Sequence, residues 1–119
     1  MEKVVDIQAN DFEEVKVSNQ PIILEFWIKS CPHCSKFKSV YEQLPNHFEG
    51  NAKFFRMNMF TSIENLRLAE GFGVEQTPTT KVFCKGREIG EIIGYRPLEE
   101  AIREIKIVID SDKDCRLSQ

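Results

Sequence analysis

Cys31 and Cys34 stand two residues apart in WIKSCPHCSKFKSV, with Pro32 and His33 between them. Such a pair can cycle between dithiol and disulfide, supply half of a zinc site, or be two inert buried thiols. The flanking pattern separates these readings. An apolar run, PIILEFWI, leads into the pair and reads as a strand buried on both faces. Beyond it, Phe37, Val40, Tyr41, Leu44 and Phe48 recur at helical spacing and form a core-facing stripe. Cys31 is therefore expected at the N-cap of a helix. Pro32 takes the first helical position, where its missing N–H is no loss and its φ already fits. A thiol at an N-cap faces unpaired backbone N–H groups and the positive end of the helix dipole, and both favour thiolate over thiol. Cys34, one turn deeper on the same face, is expected to be the more covered. The spacing thus suits an attacking and a resolving thiol. His33, when protonated, adds positive charge beside Cys31, and a stabilised thiolate makes the disulfide a stronger oxidant. Zinc is the rival reading, with His33 or His47 as a further ligand. A structural zinc site wants a second close pair, and Cys84 and Cys115 lie 31 residues apart.

The elements that must position this pair follow from pattern. VVDI reads as a strand and NDFEEVKVS as a helix capped by Asn10 or Asp11. AKFFRMNMF reads as a strand, and SIENLRLAEGFG as a helix stopped by Gly71 and Gly73. TPTTKVFC and EIGEIIGY form two strands about the turn KGR, and PLEEAIREIKIVI closes the chain as an amphipathic helix. Pro45 falls inside the stripe after Cys34 and should kink or end that helix. The order βαβαβαββα predicts an α/β domain, a mixed central sheet with helices on both faces. One domain is expected over residues 1–109, with 110–119 as a polar, flexible tail.

Composition narrows the function classes. A chain of 119 residues suffices for one core, and 41% hydrophobic with 29% charged residues is ordinary for a globular protein. A net charge of −3 without a basic stripe excludes nucleic acid as the expected partner. No run approaches the ~18 apolar residues of a membrane span, and the start, MEKVVDIQ, shows no secretory signal. The expectation is a cytoplasmic monomer. Four cysteines in such a chain argue against a structural disulfide framework. Cys84 then reads as a small packed hydrophobe, Cys115 as an incidental tail thiol, and Lys81 as a lysine snorkelling from a strand edge.

ILEFWIKSCPHC, VEQTPT and GREIGEIIGY together resemble the thioredoxin family of thiol–disulfide oxidoreductases, over about residues 3 to 108. The resemblance implies a thioredoxin fold, a three-layer α/β/α sandwich. It implies Cys31 as nucleophile, Cys34 as resolving cysteine, and a redox-active disulfide between them in place of any cofactor. Pro78 matches the family's cis-proline, and Thr77 before it would pair with an extended substrate. Gly94 matches a glycine that keeps this groove open, and Trp27 an aromatic beside the disulfide; Pro32 lies on the same substrate face. Glu25 matches a buried carboxylate that moves protons to and from the resolving thiol. Arg56 falls where the family often carries a lysine near that carboxylate. The implied partners are disulfide-containing proteins and, for re-reduction, a thioredoxin-reductase-like protein or a low-molecular-weight thiol. The chain departs from the family pattern at Pro32–His33, where Gly-Pro is usual, at Ser30 in place of tryptophan, at Glu25 in place of Asp, and at Ser39 in place of proline. Pro-His between the cysteines is similar to the oxidising branch of the family. That branch inserts a helical domain for which the 43 residues between Cys34 and Pro78 leave no room.

Overall fold

A computed structural model describes residues 3–115. The apolar run after Pro21 becomes β2 (Ile22–Trp27), set in the middle of a five-stranded sheet. Its neighbours are β3 (Lys53–Asn58), parallel to it, and β4 (Thr79–Cys84), antiparallel to it. The edges are β1 (Val5–Asp6), parallel to β3, and β5 (Arg87–Ile93), antiparallel to β4, so the order is β1-β3-β2-β4-β5. With neighbours on both sides and helices on both faces, β2 has no polar face. Its sequence is accordingly apolar save for Glu25.

Alternation along β2 sends Ile23 to one face and Leu24 and Phe26 to the other. The helices α2 (Pro32–Gln43) and α4 (Leu98–Asp110) cover the first face, where Ile23 packs with Phe37, Tyr41, Leu44, Ala101 and Ile105. The short α1 (Phe12–Val15) and α3 (Ile63–Gly71) belong to the second, where Leu24 and Phe26 pack with Phe12, Met57, Ala69 and Phe83. Glu25 shares Ile23's parity and thus points toward α2. Tyr41 ties that helix to the sheet, its hydroxyl 2.7 Å from the Phe55 carbonyl and 3.0 Å from that of Ile23. Beyond Gln43 the chain tightens into a 3-10 turn, Leu44–His47, the break expected of Pro45. Among the described residues no helix is long and apolar enough to cross a membrane.

Four expectations are corrected. Cys84 and Cys115 form a disulfide, with Cα atoms 6.2 Å apart, so the chain carries a structural disulfide and Cys115 is no incidental thiol. Residues 111–115 are therefore not a free tail. The chain turns back after α4, Cys115 is 6% exposed within the first core face, and Arg87 pairs with Asp112 at 2.9 Å. Residues 116–119 lie outside the described residues. Lys81 sits on an inner strand, not an edge, and is held by Glu88 at 2.8 Å and Glu91 at 2.6 Å from β5. The first helix begins at Phe12 with Asp11 in the N-cap position, as expected, but the Asp11 side chain accepts the Gln8 N–H instead of capping the helix, a 3-10 turn (Ala9–Asp11) precedes it, and it ends early, at Val15.

Candidate active site

The carboxyl end of β2 delivers Cys31 to the N-cap of α2. Its backbone is extended, at φ −103° and ψ 111°, and Pro32 opens the helix. The Cys34 N–H donates to Cys31 Sγ at 3.1 Å, an orphan helix donor thus being spent on sulfur. Cys31 is 8% exposed and Cys34 2%, both as free thiols. The order of exposure is the expected one, although Cys31 is more covered than an open N-cap would leave it. The cover comes from the loop before β4: Cys31 Sγ donates to the Thr77 carbonyl at 3.4 Å, and Thr77–Pro78 is a cis peptide. Pro78 is buried and its carbonyl accepts the Gly94 N–H at 2.8 Å, which joins the end of β5 to the same loop. Gly94 has φ +93°, left-handed backbone that favours glycine, and a Cβ there would meet nothing nearer than Arg96 Nη1 at 3.8 Å.

The electrostatics split the two sulfurs. Burial pushes the Cys31 thiol up, but hydrogen bonds from the Cys34 side chain and from the backbone N–H groups of Cys34 and His33 outweigh it, and its pKa falls below the ordinary value. Burial and the bond to Cys31 push Cys34 up to about 11. The two thiols are thereby made unequal, with Cys31 the more readily ionised. His33 is exposed at the start of α2, and what it gives Cys31 here is its backbone N–H.

Beneath the pair, Glu25 is wholly buried. Burial raises its pKa to about 7, against the opposing pull of Arg56, whose Nε donates to Glu25 Oε1 at 2.7 Å. Glu25 Oε2 has no partner. Arg56 also lies over the Trp27 ring, 4.4 Å from its centroid, and joins Trp27, Lys29, Ser35 and Lys38 in lining a cavity of about 210 Å³ against Cys34. Glu25 is thus joined through Arg56 to the cavity that Cys34 lines. The structure brings Trp27, Pro32, Thr77, Pro78 and Gly94 to one end of the sheet around Cys31, at the carboxyl end of β2. Among the described residues, the potential metal-ligating atoms that cluster in a group of three are those of Cys84, Asp112 and Cys115, within 4.8 Å of one another at the far end of β4, and two of the three are already spent in the Cys84–Cys115 disulfide.

Residues 3–107 match the thioredoxin family model. The chain belongs to the thioredoxin family. A thioredoxin of Haemophilus influenzae is 32% identical over 98 residues, covering 82% of this chain and 89% of that one. One from Griffithsia pacifica is 25% identical over 91 residues, covering 76% and 81%. In fold, the chain is similar to spinach chloroplast thioredoxin f (TM-score 0.79, 21% identity, 89% and 93% covered) and to a Halobacterium salinarum thioredoxin mutant (TM-score 0.77, 21% identity, 89% and 90% covered). This thioredoxin-family chain is a thiol–disulfide oxidoreductase, an enzyme with a thioredoxin fold. The resemblance placed Arg56 near Glu25, as the structure has it; what the sequence reading missed was the contact of Arg56 with Trp27 and with the cavity. The strand's alternation by itself gives no sign of which aromatic ring an arginine will cover.

Proposed function

We propose that the chain reduces disulfides in protein substrates through Cys31 and Cys34. The observation that carries this reading is the sulfur of Cys31 at a helix N-cap, facing the Thr77 carbonyl, with its pKa lowered while that of Cys34 is raised. The Cys31 thiolate attacks one sulfur of a substrate disulfide. A mixed disulfide forms and the other substrate sulfur leaves as a thiolate. Cys34 then loses its proton and attacks Cys31 Sγ, which releases the second substrate thiol and leaves Cys31–Cys34 oxidised. Glu25, with a pKa near neutrality and an unpartnered oxygen, takes the Cys34 proton by way of the cavity. Trp27, Pro32, Thr77, Pro78 and Gly94 form the substrate face, along which an extended peptide pairs with the backbone at Thr77. His33 tunes the potential through its charge when protonated. Two electrons and two protons must be returned by a thioredoxin-reductase-like donor or a low-molecular-weight thiol. One chain supplies every group named, which supports action as a monomer.

We also place this activity in the cytoplasm. The Cys84–Cys115 bond pulls the other way, because disulfides persist in oxidising compartments. Alkylation of intact cells before lysis decides: modified Cys84 and Cys115 place the chain where thiols stay reduced, and protected ones move it out. The mechanism is tested with Cys31→Ser and Cys34→Ser. The first should lose disulfide reduction entirely, and the second should accumulate a mixed disulfide with substrate. Full activity in Cys31→Ser overturns the assignment.

A further inference from the structure

Every charged residue between Phe26 and Tyr41 is basic, in a chain whose net charge is −3: Lys29, Lys36 and Lys38. The fold sends these lysines to both sides of Cys31. Lys29, in the loop after β2, and Lys38, one turn below Cys34 on α2, line the cavity on one flank together with Arg56. Lys36 turns the other way and lies over the Tyr95 ring, 4.4 Å from its centroid, next to Gly94. Arg96 extends that second flank, with its Nη1 on the carbonyls of Ile93 and Tyr95. All three lysines are exposed, and among the described residues none forms an ion pair with a carboxylate. The opposing charges are few: Glu25 is engaged by Arg56, Arg96 is paired with Glu104, and the acids nearest along the chain are Glu75, ahead of Thr77, and Glu42, one turn beyond Lys38.

From this collar we infer a substrate class: disulfides set in acidic polypeptide segments. The inference rests on the reading of the site as a protein-disulfide reductase. An extended segment paired at Thr77 runs between the two basic flanks. Carboxylates a few residues either side of its cysteine then come within reach of Lys29 and Lys38 on one side and Lys36 on the other. Complementary surface charge speeds encounter and fixes register, and salt weakens it because the Debye length shrinks to about 10 Å at 0.1 M. Basic segments meet like charge on both flanks. A change in the reactivity of Cys31 itself acts on every substrate alike, so the ratio between substrates, not the rate itself, reports selection.

The probes are three synthetic peptides with one identical intramolecular disulfide, flanked by glutamates, serines or lysines. Each is mixed with the reduced protein. As the peptide disulfide becomes two thiols, Cys31 and Cys34 become a disulfide, and Trp27 fluorescence follows the rate. At low salt the glutamate peptide should react about tenfold faster than the lysine peptide, a gap that should close as salt rises past about 0.3 M. Lys29→Glu/Lys38→Glu, both exposed positions, should reverse the order. Equal rates for charged peptides, or a ratio indifferent to salt and to both substitutions, overturn the inference while leaving the reductase reading intact. Failure of all three peptides to oxidise the protein overturns both together.

Discussion

At the scale of single residues, the site works by setting ionisable groups apart. Cys31 and Cys34 begin as identical side chains, and a helix start separates them: one sulfur collects N–H donors, the other is buried behind it. Glu25 is the third member. An unfolded chain releases its proton near 4.5 and the folded chain near 7. Across that window the folded chain holds a proton the unfolded chain has already lost, so stability is full below 4.5, falls as pH rises, and levels off above 7. The span of the shift corresponds to about 3 kcal/mol. Glu25→Gln should abolish most of this fall, measured as the change in urea stability between about pH 5 and about pH 8. The rate of mixed-disulfide resolution should rise as pH passes through neutrality in wild type, and the same variant should lose that rise. A stability profile as steep in the variant as in wild type would remove Glu25 as its source.

At the scale of elements, the site depends on how closely α4 and β5 approach. Gly90 on β5 faces Val108 of α4, and a Cβ at that position would stand 2.5 Å from Val108 Cγ1. Valine is stiff at χ1 and cannot swing aside. Gly90→Ala should therefore push α4 outward and cost about 1 to 3 kcal/mol by denaturant unfolding, and Gly90→Ala/Val108→Ala should restore much of it. If Gly90→Ala alone is neutral, the contact is not the constraint. This packing matters to the site because β5 ends at Ile93, next to Gly94, whose N–H holds Pro78. A displaced β5 loosens one wall of the groove.

At the scale of the whole molecule, the chain is held at two opposite ends. Thr77 and Cys31 meet at the start of β4, and Cys84 and Cys115 close its other end, with the strand's five residue rises, about 17 Å, between. The Cys84–Cys115 bond spans a sequence separation of 31 and anchors the chain beyond α4 to the sheet. For a loop of that length the chain-entropy argument gives about 3 to 4 kcal/mol of stabilisation. Cys84→Ala/Cys115→Ala should lose roughly that much in urea unfolding. Because the bond is remote from Cys31, the variant should keep its rate with a small neutral disulfide at 25 °C or so, well below its unfolding transition. Equal stability of variant and wild type under oxidising conditions would mean that the bond does not hold the fold.

By itself, the sequence determined whatever depends on neighbours along the chain. Period-2 and period-3.6 apolar patterns placed the strands and helices to within a few residues, with α1 ending sooner than its pattern suggested. Cys31 as N-cap and Pro32 as first helical residue were legible because capping is local chemistry. The family motifs added the cis-proline, and the Thr77–Pro78 bond is cis. Tertiary structure alone decided which distant side chains meet. Nothing in the spacing of Cys84 and Cys115 announces a bond, since their nearness follows from α4 folding back along β4 and β5. Lys81 looked like an edge residue until β5 brought Glu88 and Glu91 beside it. The seat of Arg56 over Trp27, and the division of three lysines between the two flanks of Cys31, likewise come from strands and helix faces crossing in space. A charge's strength at a site depends on burial and on partners through space, and a one-dimensional pattern carries neither.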